Sequence, residues 1–435
     1  MNWVIAGVLV LLLSLLFRMG LLTYGIYVLF GIALGSRWLS RVWSANVSAT
    51  RRCDKLRAEV GETANVIVTV RNAGRLPVAW VLVEDLLPRG ALVHDPPNLQ
   101  VRGRRVMLAM LRGESEKELT YQLTCHRRGY YQIGPLVLET GDLFGLHRRY
   151  RVLSEPQFLM VYPKVVPLAG YEIASKRPIG EVRMTYRLYE DPTRIAGVRQ
   201  YLPGDPLSRV HWKATATTGT LHSKVFEPST IAGATVLLDF HQSTHPAHHE
   251  PFRSELNIVA AASLANAVYQ MGQQIGLVTN GRDAADRIRQ EGWDYDLRTR
   301  DTARRSAAMA EQNTRLAPLV VETQRGVDQF QRILDTLARL ELTDGLTFPQ
   351  LISEASSRLP RDATVIAMLT TVTPDIAIAI GNLRRRGFAV TAILSVYDEN
   401  EFAAQAGLLL AEGIDTHQLK DEQSIMTLCR NQILR

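Results

Sequence analysis

Three cysteines in 435 residues leave little for thiol chemistry to work with. Cys53, Cys125 and Cys429 are odd in number and far apart. No zinc spacing and no Cys-x-x-Cys pair can be drawn from them, and the set suits a reducing compartment. The signatures G-x-x-x-x-G-K-[ST], H-E-x-x-H and G-x-S-x-G are missing too, which removes the most easily read nucleotide-binding, metalloprotease and serine-hydrolase chemistries. Neither sign of charge dominates, with 50 Lys and Arg against 43 Asp and Glu. Basic clusters occur at 102–105, 127–128 and 148–151, but no recognition motif accompanies them, so nucleic acid is not an expected partner.

What is present divides the chain into parts. At this length two or three domains are expected, and a hydrophobic content of 46% supports real cores. Trp3 to Phe17 and Leu21 to Leu34 are apolar runs separated by Arg18-Met19-Gly20. Each is short against the roughly 17–25 residues of a usual span. Two thin membrane helices joined by a tight turn are the expected arrangement, with residues 3–35 in the lipid bilayer. A cleaved signal peptide, for which the apolar stretch is too long, and a single tilted span with Arg18 snorkelling are the alternatives. Arg37, Arg41, Arg51 and Arg52 outnumber Arg18, which places the rest of the chain in the cytoplasm at the inner (plasma) membrane.

Over 45–160, short alternating runs are broken by turn residues, as in Ala64–Val70, Val78–Glu84 and Glu118–Thr124. That pattern predicts an immunoglobulin-like β-sandwich. From Gly233 the texture changes. Ala234–Leu238 is a buried-strand run ending at Asp239, and Leu256, Val259, Ala260, Leu264, Ala267 and Val268 recur at helical spacing. Ile275–Thr279, Thr364–Leu369 and Phe388–Leu394 continue the alternation, predicting a doubly wound α/β sheet over 233–435. Ligands of such sheets sit beyond the carboxyl ends of the strands, where Asp239 falls. His241, His245, His248 and His249 crowd the following loop, but zinc needs three or four ligands in fixed geometry, and Pro246 and Pro251 interrupt this stretch.

The stretch 199–227, RQYLPGDPLSRVHWKATATTGTLHSKVFE, lies in the expected linker over 161–232 and has neither helical nor strand period. Pro203-Gly204-Asp205-Pro206 is turn chemistry, with Asp205 placed to cap a short helix from Pro206. Val210 and Trp212 are expected to anchor the segment in a core, and Leu221 to Glu227 alternates as a half-buried strand does. Asp205, Arg209 and Lys213 read either as an ionic knot bracing two domains or as a docking surface for a partner. No nucleophile, base and orienter stand together here.

This string resembles the signature of the bacterial DUF58 family through Arg199, Tyr201, Gly204, Asp205, Arg209, Trp212, Lys213, Ala216, Gly219, Leu221, Lys224 and Glu227, with His211 inside it. Thr217 departs from the Arg common there. Gly141-Asp142-Leu143-Phe144-Gly145-Leu146 and Val161-Tyr162-Pro163 also resemble the family, with Leu143 in place of its usual Pro. The C-terminal sheet in turn resembles a von Willebrand A-like domain, many of which hold Mg²⁺ through Asp-x-Ser-x-Ser and later loops. Here Asp239, Ser243 and Asp375 are the matching positions, and His241 replaces the first Ser. The resemblance implies a multidomain, membrane-anchored, non-enzymatic adaptor working with a MoxR-type AAA+ ATPase. A metal-dependent ligand-binding protein or hydrolase around Asp239, and an envelope-facing structural protein, are the alternatives.

Overall fold

The computed structural model describes residues 20–88, 91–92, 97–145, 147–168, 189–201, 210–229, 233–291, 316–361 and 363–427. The chain divides into two compact units. One comprises Met1–Lys164, Asp283–Thr314 and Asp335–Leu340; the other comprises Val165–Arg282, Arg315–Leu334 and Glu341–Arg435.

The first unit opens with one unbroken helix, α1 (Gly20–Asn46). This overturns the expected transmembrane hairpin: among the described residues no helix is long and apolar enough to cross a membrane. The physical reason lies in the helix's second half. Arg37, Arg41, Ser36 and Ser40 dilute its apolar face, and Trp43 is buried among the residues of a β-domain core. Arg151 donates to the carbonyls of Ser44 at 3.0 Å and Ala45 at 3.3 Å, satisfying the helix's C-terminal acceptors with a cation, as the helix dipole favours. The run Trp3–Phe17 lies outside the described residues.

Two four-stranded antiparallel sheets follow. The first has the order β1 (Val47–Cys53), β3 (Thr63–Asn72), β7 (Glu116–Cys125) and β5 (Leu99–Gly103). The second has the order β10 (Arg148–Ser154), β9 (Leu136–Gly141), β4 (Val78–Asp85) and β6 (Val106–Leu111). A three-stranded sheet joins β2 (Arg57–Glu59), β11 (Gln157–Tyr162) and β8 (Gly129–Ile133). The alternation of β3 turns Ala64, Val66, Val68 and Val70 to one core shared with Val81 and Val83 of β4 and Leu136 and Leu138 of β9. One core between two sheets is a β-sandwich.

Across that core runs a buried ion pair. Arg51 Nε donates to Asp85 Oδ2 at 2.9 Å, and Arg51 Nη2 contacts Asp85 Oδ1. Arg51 Nη1 serves the carbonyls of Ile133 and Glu155, each at 3.1 Å, and the Tyr121 hydroxyl donates to Asp85 Oδ2 at 2.7 Å. Both charges are therefore hydrogen-bonded as well as paired, the condition under which burial is tolerated.

The second unit contains a ribbon and a sheet. The ribbon pairs β12 (Tyr189–Gln200) antiparallel with β13 (His222–Ser229), in the register Gln200↔His222, Arg199↔Ser223 and Val198↔Lys224. A short helix, α2 (Trp212–Thr218), lies between these strands. The sheet has six strands in the order β16 (Leu319–Gln324), β15 (Gln274–Thr279), β14 (Gly233–Leu238), β17 (Thr364–Leu369), β18 (Val390–Leu394) and β19 (Asp415–Gln418). All pairs are parallel except β15 with β16. Helix α3 (Phe252–Gln270) follows β14. The chain steps from β14 out to β16 and returns beyond β14 to β17, so the order reverses between β14 and β17. Asp239 and Thr370 stand at the carboxyl ends of those two strands.

Candidate functional site: the ribbon tip and the carboxyl edge

The ribbon pins both ends of the motif. Tyr201 N donates to Leu221 O at 2.9 Å, and His211 N donates to His222 O at 2.8 Å. Val210 is buried and bridges Ser223. The described helix begins later than Pro206, at Trp212, and its cap is His211. The imidazole Nδ1 accepts the Ala214 N–H at 3.0 Å, serving one of the orphan donors of the first turn. Gly219, at φ 71°, closes the helix in the left-handed conformation and donates its N–H to Thr215 O. Leu202 to Arg209, including Gly204, Asp205 and Arg209, lie outside the described residues.

The anchoring role expected of Trp212 is overturned. Val210 enters a core, but Trp212 is 70% exposed and α2 buries no residue. The cause is local. His211 turns back to cap the helix, so Trp212, its first residue, projects on the outer side. Lys213 and Arg199 are exposed as well, and Lys224 is half-buried beside Val198 on the ribbon. Glu227 lies in β13. Across 198–201 and 210–224 the tip carries Arg199, Lys213 and Lys224 and no carboxylate.

The carboxyl edge of the sheet is arranged differently. Asp239 is fully buried. Its Oδ1 accepts from Asn280 Nδ2 at 2.9 Å and from His241 N at 3.3 Å, while Oδ2 has no hydrogen-bond partner. Asn280 also accepts Phe240 N at 2.7 Å and donates to Leu346 O, so one amide stitches three loops. His245 Nδ1 lies 3.0 Å from His241 O, and Nε2 lies 3.0 Å from Thr370 Oγ1. The carbonyl contact assigns the proton to Nδ1, leaving Nε2 to accept from Thr370. Thr370 in turn accepts from Asn257 Nδ2 at 2.9 Å. Both ring nitrogens of His245 are thus used, and His241 Nδ1 is held by Ser243 N and Oγ. Of the loop's histidines, His241 is a cap and His245 a brace.

The residues matched to a Mg²⁺ site stand in different surroundings, Asp239 buried and the other two at the surface. Ser243 is exposed, with its Oγ 2.7 Å from His241 Nδ1, and Asp375 is exposed in the first turn of the helix Pro374–Arg385. Among the described residues no group of three His, Cys, Asp or Glu side chains could hold a metal. Asn257, Asn280 and Thr370 escaped the sequence reading, and His245 was weighed there only as a metal ligand. The available signal was a polar residue directly after each apolar run, at Asn280 after β15 and Thr370 after β17.

Residues 197–294 match the family described as "Protein of unknown function DUF58". Those residues are a DUF58 segment of the chain. The matched segment takes in the end of β12, the ribbon tip, β13, β14, α3 and β15. The uncharacterized protein YeaD of Bacillus subtilis (strain 168) is 25% identical over 236 residues, which are 54% of this chain. The chain spans about half, 56%, of the length of that curated relative. Among solved structures, the CARDB domain of the Pyrococcus furiosus PF1109 protein is similar over 26% of this chain and 91% of its own, with a TM-score of 0.19 and 15% identity. Proximal thread matrix protein 1 of the mussel byssus is similar over 47% of each chain, with a TM-score of 0.30 and 12% identity. Neither structural likeness bears on function.

Proposed function

We propose that this protein is a non-enzymatic adaptor that docks a protein partner through the ribbon tip, with a MoxR-type AAA+ ATPase as that partner. One observation carries the reading: Trp212, inside the family segment, is 70% exposed on a helix that buries nothing. An exposed Trp has the composition of an interface anchor, since Trp, Tyr and Arg dominate binding hot spots. The carboxyl edge supports the same conclusion from the other side, because Asn280, His241 and His245 are occupied in holding its loops. The strand order, with its reversal between β14 and β17, supports a von Willebrand A-like reading of the sheet. The test is affinity capture of the ATPase by the full chain and by its Trp212→Ala and Lys213→Glu variants. Capture by the parent and loss in both variants, with unchanged unfolding temperature, supports docking at the tip. Equal capture by all three removes the tip from the interface.

A further inference from the structure

Four strands form the outer edges of the two sandwich sheets: β1, β5, β10 and β6. Open edges invite pairing with foreign strands, and proteins guard them with charge, proline or bulges. β1 carries the exposed Arg52, β5 carries Arg102, and β10 carries Arg148, Arg149 and Arg151. β6 reads Val-Met-Leu-Ala-Met-Leu and carries no charge at all. Its inward residues Met107, Ala109 and Leu111 pack on the core, as a strand of a sandwich requires. Its outward residues should then be polar, and they are not. Val106 is 40%, Leu108 71% and Met110 59% exposed, and Leu82, paired with Leu108 on β4, extends the apolar face. Among the described residues β6 pairs with β4 alone, leaving one side of its main chain without a strand opposite.

We propose that β6 is a strand-addition site. It takes an extended segment of a partner protein, apolar at alternate positions and acidic at its ends. The main chain supplies the ladder, and Leu108 and Met110 supply contacts for alternate side chains. The ends set the charge. Arg104 precedes the strand and Arg112 follows it; both are exposed and have no ion-pair partner among the described residues. The same cations disfavour a second copy of this chain as occupant. Antiparallel self-pairing centred on Leu108 sets Arg104 of one copy opposite Arg112 of the other, and like charges directly opposite are destabilising.

The probe is a labelled synthetic peptide alternating valine and threonine between two acidic ends, compared with a twin whose ends are basic. Binding to the purified full chain is read by fluorescence anisotropy. The acidic peptide is expected to bind saturably, to weaken as salt rises, and to slow amide exchange over 106–111. Leu108→Lys, at an exposed position, should weaken it by roughly tenfold or more, the scale of a lost hot spot, with no change in unfolding temperature. Absence of acidic-peptide binding, equal binding of the basic twin, or full binding by Leu108→Lys overturns the proposal. A concentration-dependent dimer of the parent that Leu108→Lys abolishes also overturns it, assigning the edge to a second copy. Capture of the ATPase through Trp212 is read separately, so either reading can fail alone.

Discussion

His211 accepts the Ala214 N–H through Nδ1 at 3.0 Å, and that bond turns the next residue outward. Capping and display are therefore one event at the ribbon tip. Two neighbours in sequence, Val210 and Trp212, end in opposite environments because the chain changes direction at the histidine between them.

That opposition makes a paired test. Val210→Ala should cost about 1–2 kcal/mol, since a nearly fully buried side chain loses its methyl contacts. Trp212→Ala should change stability by no more than about 0.5 kcal/mol, as surface substitutions do. Thermal unfolding of both variants decides it. A Trp212→Ala loss as large as that of Val210→Ala would mean that the indole packs on something.

The sandwich should depend steeply on Asp85. Asp85→Ala strands the Arg51 guanidinium in the core, with an expected loss of about 3–5 kcal/mol. Tyr121→Phe removes only one bond to the carboxylate, for about 1.5–3 kcal/mol. Urea unfolding of the two variants should preserve that order.

Burial pushes the thiols of Cys53 and Cys125 up to about 11, and the Asp85 carboxylate adds to the effect at Cys53. Burial raises the Tyr121 hydroxyl in the same direction. The folded state therefore holds these protons more tightly than the unfolded chain. Their stabilisation is complete below the ordinary thiol value of 9.0 and is lost as pH rises towards 11. Unfolding midpoints should fall across that alkaline window. Alkylation of both thiols near neutral pH should be slow until denaturant is added. Rapid labelling of Cys53 or Cys125 in the native protein, read by peptide mapping, would contradict this account.

Asp239→Ala removes the acceptor that Asn280 and His241 share, and should cost about 1–3 kcal/mol. Titration calorimetry with magnesium chloride should give no saturable heat in the parent. Saturable heat abolished by Asp239→Ala would restore the cation to this edge.

Much of the architecture was legible because period and burial agree. In β3 and β7 the alternation of apolar residues is the alternation of burial, so the pattern reads directly. Helix α1 was misread for the opposite reason. Apolar residues such as Leu21, Tyr24, Val28 and Leu29 are exposed on it, while Trp43 belongs to a protein core, and hydropathy alone does not separate these fates. Trp212 was misread on composition too: a large aromatic ordinarily signals burial, and only the direction of the capped turn shows otherwise. The Asn280 and Thr370 braces depend on loops far apart in sequence meeting at one sheet edge, which no local pattern encodes.

The ribbon has a mechanical consequence. Only three residues separate the end of β13 from the central strand β14. A load applied at the tip runs along β13 and, across those three residues, into β14. A displacement of the tip is thereby passed through the main chain to the middle of the sheet, not to its edge.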